Sequence, residues 1–277
     1  MVGVLGVSAS AILVRFSQAP SGVTAAYRLG WTVLLLLPVV LLRCRAELRR
    51  VTARDLVLCG ASGVLLALHF LTWFESLKRT SVASSTVLVS TEVIFTALGF
   101  ALFLHGKIPR LGVWAILLAF GGSALLALSG GGGAGELSGN LLALAAASAA
   151  AVYTLIGRIQ RGHLSTTVYT FLTYLACFLT LLLGTAAAGT PLTGYGGREW
   201  LIGLALAVLC TLLGHSLFSW CLKYLSPSYV SAAKLCEPVF SSLAAIPLFG
   251  EVPGPLQLAG GAAVLGAVLL YTWAERE

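Results

Sequence analysis

The stretch "LKYLSPSYVSAAKLCEPVF", Leu222 to Phe240, carries Lys234, Glu237 and Pro238 within an otherwise apolar run that continues to Phe249. A second stretch, "LKRTSVASSTVLVSTEVIF" from Leu77 to Phe95, aligns with it without a gap at an offset of 145 residues. Leu77/Leu222, Lys78/Lys223, Ser81/Ser226, Glu92/Glu237 and Phe95/Phe240 coincide, and Gly121/Gly266 keeps the same offset further on. Two halves of one chain therefore place a carboxylate at the same point of an apolar segment. What that means depends on the solvent around the segment.

Composition identifies the solvent. Of 277 residues, 58% are hydrophobic and 10% charged, whereas soluble domains average roughly 45–50% and 25%. Only 17 Lys and Arg and 10 Asp and Glu are available, too few to cover one large soluble core. Apolar runs approaching the ~20 residues that cross a bilayer recur along the whole chain. In lipid the backbone must satisfy its own hydrogen bonds, so the expected fold class is an all-α integral membrane protein.

Breakers and charges divide the chain into ten expected spans: Val2–Phe16, Val23–Leu42, Asp55–Phe74, Val82–Leu104, Leu111–Leu128, Leu137–Ile159, Thr166–Ala188, Trp200–Leu222, Tyr229–Phe249 and Leu256–Trp273. The glycine-rich "SGGGGAGELSG", Ser129 to Gly139, reads as a flexible linker, giving halves 1–128 and 137–277 around 129–136. With the N-terminus cytoplasmic, that side carries Arg43, Arg45, Arg49, Arg50, Arg54, Lys107, Arg110, Arg158, Arg161, Lys223 and Arg276, against Arg15, Lys78, Arg79 and Arg198 opposite. This positive-inside bias puts both termini in the cytoplasm of a cell (inner) membrane protein. It also accounts for the net charge of +7, so no nucleic-acid partner is implied. The six cysteines form no CxxC pair and no metal-ligand spacing, so neither a disulfide framework nor a metal is expected.

A repeat of five spans has an odd number of crossings, so the second copy enters the membrane upside down. Inverted repeats offer two packings that face opposite sides, and their exchange exposes a central site alternately to each. Secondary transporters commonly have this symmetry.

The residues also resemble a family. "AAYRL" (Ala25–Leu29), "HFLTWFESLKRTSVASSTVLV" (His69–Val89), "YTLIGR" (Tyr153–Arg158), the Leu222–Phe240 stretch and "FGE" (Phe249–Glu251) follow the order and spacing of the EamA-type permeases of the drug/metabolite transporter superfamily. The resemblance spans essentially the whole chain and implies a ten-helix basket around a central cavity, usually exporting small metabolites such as amino acids. Two departures stand out. Val93 replaces the proline the family usually has after the acid, which removes the residue expected to bend helix 4, and the first half reads "HGK" (His105–Lys107) where the second keeps "FGE".

Polar groups within spans are the candidate site. A charge at the bilayer centre costs ~2.5–3.5 kcal/mol on insertion scales, so Glu92 and Glu237 are expected to face a cavity or a partner. They can bind amines or protons, or cap broken backbone. Lys234 lies three residues before Glu237, on the same helical face; it can form a local ion pair or meet a substrate carboxylate. Pro238 removes a backbone bond and is expected to bend the helix there. Arg28 can snorkel outward or hold a carboxylate bidentately. His69 and Trp73 share a face one turn apart, His215 is their rough counterpart, and Tyr153 and Thr154 add hydroxyls; each can also be packing. Arg15 reads as an interface anchor or a guard of the cavity mouth, and Glu75 as a partner of headgroups, Lys78 or Arg79.

The expectation is a permease moving small organic metabolites outward, amino acids or related zwitterions foremost, with the lipid bilayer and a small-molecule substrate as partners and no cofactor. Monomer and homodimer both remain open. A proton-coupled exporter of cationic drugs is the alternative within the class. A sensor or assembly subunit would normally carry a soluble domain. An enzyme would need a nucleophile–base or metal constellation, and the sequence offers none of the GxSG, paired-Asp, HExxH or Cys/His kinds.

Overall fold

A computed structural model describes residues 2–104, 108–129, 134–221, 224 and 236–274. Among these, every regular element is helical. The first half contains α1 (Val2–Phe16), α2 (Ser21–Arg43), the short α3 (Arg45–Leu48), α4 (Ala53–Arg79), α5 (Val82–Val89), α6 (Glu92–Leu104) and α7 (Arg110–Ser129). The second contains α8 (Ala134–Gln160), α9 (Thr166–Ala187) and a continuous run made of α10 (Gly197–Ala205), a π-helix (Leu206–His215) and α11 (Ser216–Cys221). It closes with α12 (Cys236–Phe249) and α13 (Pro255–Ala274). Among the described residues, seven helical spans are long and apolar enough to cross a bilayer, and Gly6–Phe16, Arg110–Leu126 and Glu237–Phe249 are shorter apolar helices.

Local chemistry sets several boundaries. α4 starts ahead of the expected Asp55 because Thr52 caps it: the Asp55 N–H donates to Thr52 Oγ1 (3.2 Å) and the Thr52 N–H to Asp55 Oδ2 (3.0 Å), a capping box. Ser81 and Ser165 cap α5 and α9 by a single bond each, their side chains accepting from the Ser84 and Val168 N–H groups. The region read as a linker is shorter than expected. α7 runs through Ser129 and α8 begins at Ala134, so "AGELSG" is helical. Gly139 there packs so closely that an added Cβ would stand 3.0 Å from Thr80 N.

The helices pack in reciprocal pairs. α4 lies along α8 and α9, while α1 packs on the π-helix and α2 on α10 and the π-helix. α5 and α6 pack on α8, and α12 packs on α1. α2 meets α9, α5 meets α12, and α7 meets α13. If α1 is matched with α8, α2 with α9, α4 with the α10–π–α11 run, α5 and α6 with α12, and α7 with α13, each of these pairs maps onto itself or onto another of the set. Glycines permit the closest approaches. A Cβ on Gly63 would stand 2.6 Å from Thr173 O, one on Gly203 2.6 Å from Tyr27 Cβ, and one on Gly122 or Gly260 2.9 Å from the other's carbonyl oxygen.

The surface is apolar, as lipid requires: Leu42, Leu102, Trp114, Leu183 and Val252 are all exposed. Polar pairs lie between helices instead. Ser62 Oγ and Tyr169 OH share a hydrogen bond (3.1 Å), and Thr80 Oγ1 donates to Asn140 Oδ1 (2.9 Å).

Two glycines of α4 give a controlled test of this packing. Gly63→Ala is expected to lower thermal stability in detergent by about 1–3 kcal/mol, as overpacking does. Gly60→Ala, with nothing within 4 Å of its added methyl, should be neutral or stabilising.

Candidate functional site

Both halves contribute to one polar cavity of about 40 Å³, lined by Val7, Ser10, His69, Trp73, Val89, Glu92, His215, Phe218 and Glu237. Five residues singled out from the sequence, Glu92, Glu237, His69, Trp73 and His215, meet there. A water needs roughly 10–15 Å³ on this measure, so the cavity accommodates a few waters and is closed to anything the size of a metabolite.

The Glu92 carboxylate sits at a helix start. α5 and α6 are separated at Ser90 and Thr91 even though Val93 replaces the family's proline. The two hydroxyls supply the break: Ser90 Oγ donates to Thr86 O (2.9 Å) and Thr91 Oγ1 to Leu88 O (2.6 Å), competing with the helical ladder. Glu92 is the first residue of α6, a position that favours negative charge through the helix dipole, and Glu237 lies on α12, whose described part begins at Cys236. Thr154 Oγ1 donates to Glu92 Oε1 (2.8 Å). Pro238 is buried in α12, two residues after the described part of that helix begins. Lys234 lies outside the described residues.

On α4, the His69 ring stacks on Trp73 (centroids 5.8 Å, 25° between planes). His69 Nδ1 is 3.0 Å from Ala146 O, so this nitrogen carries the proton it donates. Phe70 lies beside His69 at 5.2 Å and edge-on to His215 at 5.8 Å. Tyr153 belongs to the packed core with Tyr169 and Tyr174; its neighbour Thr154 is the one that reaches Glu92.

Arg28 does not snorkel. It is 0% exposed, with Nε donating to Thr211 Oγ1 (2.8 Å) and Nη1 to Ser10 Oγ (3.1 Å). Its guanidinium carbon is 4.2 Å from the Phe70 ring centroid, a cation–π contact. Nη2 has no hydrogen-bond partner among the described residues, and neither has the buried indole Nε1 of Trp73. Thr211 stands in the π-helix and donates in turn to Leu206 O five residues earlier (3.3 Å). Ser10, Thr211 and the π-helix escaped the sequence reading. A usable signal was the small-residue spacing Gly6–Ser10, because Gly6 faces Leu209 O so closely that a Cβ would stand 2.4 Å away.

A second cluster ties helix ends together. Arg15 Nη2 pairs with Glu251 Oε1 (2.7 Å), and Glu251 Oε2 accepts the Val82 N–H (2.7 Å). Arg15 also donates to the carbonyls of Leu77 and Thr80, and Phe16 meets Phe249 at 5.1 Å. The ends of α1, α4 and α12 and the start of α5 are thereby clamped by the glutamate of "FGE". Glu75 pairs with Arg79 (2.8 Å) and accepts from Ser21 (2.9 Å).

The EamA-like transporter family model matches residues 1–128 and again 137–273. A pseudopaline exporter of Pseudomonas aeruginosa is 24% identical over 207 residues, 75% of this chain and 72% of the relative. The "Probable terminal-alkyne amino-acid exporter" of Streptantibioticus cattleyicolor is 28% identical over 233 residues, 80% of this chain and 75% of the relative. One solved crystal structure superposes with a TM-score of 0.69 at 18% identity, covering 99% of this chain and 96% of that one.

The clamp is separable from the cavity by mutation. Glu251→Gln should cost about 1–3 kcal/mol of thermal stability, because it weakens a half-buried pair and a backbone bond together. Arg15→Gln should cost a similar amount, and the double variant less than the sum, with coupling above about 0.5 kcal/mol. Additive losses would show that the pair contributes nothing as a unit.

Proposed function

The chain belongs to the EamA-like transporter family and is a multi-pass membrane protein, and from that premise we propose that it is a secondary transporter exporting small amino-acid-type metabolites across the inner membrane. The observation that carries this reading is the cavity itself, where Glu92 and Glu237 from opposite halves meet His69, His215 and Trp73. A site assembled from both halves changes its access whenever the halves change their packing. The gapless Leu77–Phe95/Leu222–Phe240 alignment, the two family matches and the reciprocal helix pairs all support ten crossings arranged as two inverted five-helix repeats, 1–128 and 137–277.

Orientation follows from the arginine and lysine bias, with both termini cytoplasmic. On that orientation the Arg15–Glu251 clamp is an outer gate, here shut. The relatives' names, a pseudopaline exporter and an amino-acid exporter, support outward movement of zwitterionic compounds. Glu92 and Glu237 also favour a second reading, in which two carboxylates exchange protons for a cationic substrate.

Counterflow in proteoliposomes preloaded with pooled amino acids separates the two. Wild type should exchange amino acids without a proton gradient, and Glu92→Gln and Glu237→Gln should each reduce the rate at least tenfold at unchanged thermal stability. Exchange of cations alone, collapsing when the proton gradient is removed, would instead establish the proton-coupled reading. Variants that lose stability and rate together would assign both acids a structural role.

A further inference from the structure

We propose that Arg28, with the Trp73 indole N–H, is the subsite for the substrate's carboxylate, while Glu92 and Glu237 face its ammonium group. The inference rests on the transport reading above and assigns the polarity of the substrate within that site.

Three observations carry it. First, a guanidinium has five N–H donors, and Arg28 spends two on hydroxyls. Nη2 remains without a hydrogen-bond partner among the described residues although the side chain is fully buried. An unsatisfied buried donor costs about 1–3 kcal/mol, more when charged, so a charge stored this way calls for an acceptor in some other state of the protein. Second, the Trp73 N–H is unsatisfied too, and the Trp73 side chain lines the cavity. Third, Arg28 is one hydroxyl away from that cavity: Ser10, which accepts from Nη1, is part of its wall.

The geometry of charge then selects the ligand class. The cavity presents two carboxylates on its wall and a guanidinium immediately behind Ser10. A molecule carrying only a cation leaves both buried donors unpaired. One carrying only an anion meets Glu92 and Glu237. An α-amino acid, or a larger compound with the same pair of groups, satisfies both ends. In the closed state Ser10 and Thr211 hold the guanidinium, and the Phe70 face covers it. Movement of α1 or of the π-helix removes one hydroxyl and frees the fork that a carboxylate takes bidentately. Thr211 links this release to the π-helix, an arrangement often found at functional sites.

The test measures discrimination rather than rate alone. Exchange of a pooled cell-metabolite extract in proteoliposomes is competed with L-amino acids and with the matching amino-acid amides, for wild type, Arg28→Gln, Arg28→Lys and Trp73→Phe. Thermal shifts with both probes accompany the transport. Wild type should prefer the acids at least tenfold. Arg28→Gln should compress that preference to about twofold while amides still compete. Arg28→Lys should retain an intermediate preference for the acids, with a raised half-saturation concentration for them. Trp73→Phe, which keeps the ring and removes the N–H, should weaken competition by the acids more than by the amides. Equal competition by acids and amides in wild type overturns the proposal and leaves transport standing. The same holds if Arg28→Lys and Trp73→Phe keep the full wild-type preference. If no component of the extract exchanges and neither probe shifts the melting temperature, the transport reading falls and this subsite with it.

Discussion

A guanidinium held entirely away from water, hydrogen-bonded to two hydroxyls, is the constraint around which the centre of this protein is arranged. Arg28 of α2 reaches Ser10 of α1, Thr211 of the π-helix and the Phe70 face of α4. These elements come from both halves. Removing a cation from water is expensive, and two hydroxyls and a ring offset only part of that cost. The surrounding sequence is consistent with the demand. Gly6 lets α1 approach Leu209, and Gly214 lies so near α1 that an added Cβ would stand 2.7 Å from Val7 Cγ1. In the π-helix the Thr211 hydroxyl reaches Leu206 O (3.3 Å) while its oxygen accepts from Arg28. Without these close approaches the hydroxyls would not reach the charge.

The carboxylates solve the same problem differently. Glu92 avoids the mid-helix position that makes an intramembrane acid so costly, because it stands at the beginning of a helix. The helix dipole and the Thr154 hydroxyl take the place of water there. Broken helices are tolerated at membrane depth where they line a cavity, and Glu92 and Glu237 share the wall of one. The break before Glu92 is made by the Ser90 and Thr91 hydroxyls, so it does not depend on a proline.

Much of this was legible in the sequence because lipid simplifies the code. Apolar run length, breakers and the Glu92/Glu237 offset located the helices and the acids that share the cavity; α1 coincides with the expected Val2–Phe16. What was not legible depended on three-dimensional neighbours. Arg28, six residues after a "PSG" break, looked able to snorkel until α1 and the π-helix closed over it. The π-helix leaves no mark in hydropathy, since Leu206–His215 is apolar in either geometry. Gly139 resembled linker composition, yet it is packed against Arg79 and Thr80. Tyr153 and Thr154 are adjacent in sequence, but only the structure tells which hydroxyl faces Glu92.

The proposed inverted repeat would be energetically unequal at its two faces, and the residues suggest how. Glu251 of "FGE" receives both Arg15 and the Val82 N–H, whereas the matching motif of the first half is "HGK". The first half's motif thus offers a lysine where the second offers a carboxylate. Arg15 itself corresponds, at the 145-residue offset, to Gln160, which donates to Asp55 (3.2 Å) beside His163 Nε2 (2.7 Å). Among the described residues the arginine–carboxylate pair at one end is therefore matched at the other by an amide and an imidazole on one carboxylate. Two otherwise exchangeable packings would then differ in free energy by roughly the worth of one half-buried clamp, a few kcal/mol at most. A difference of that size is enough to leave one state predominant at rest while substrate binding can still shift the balance.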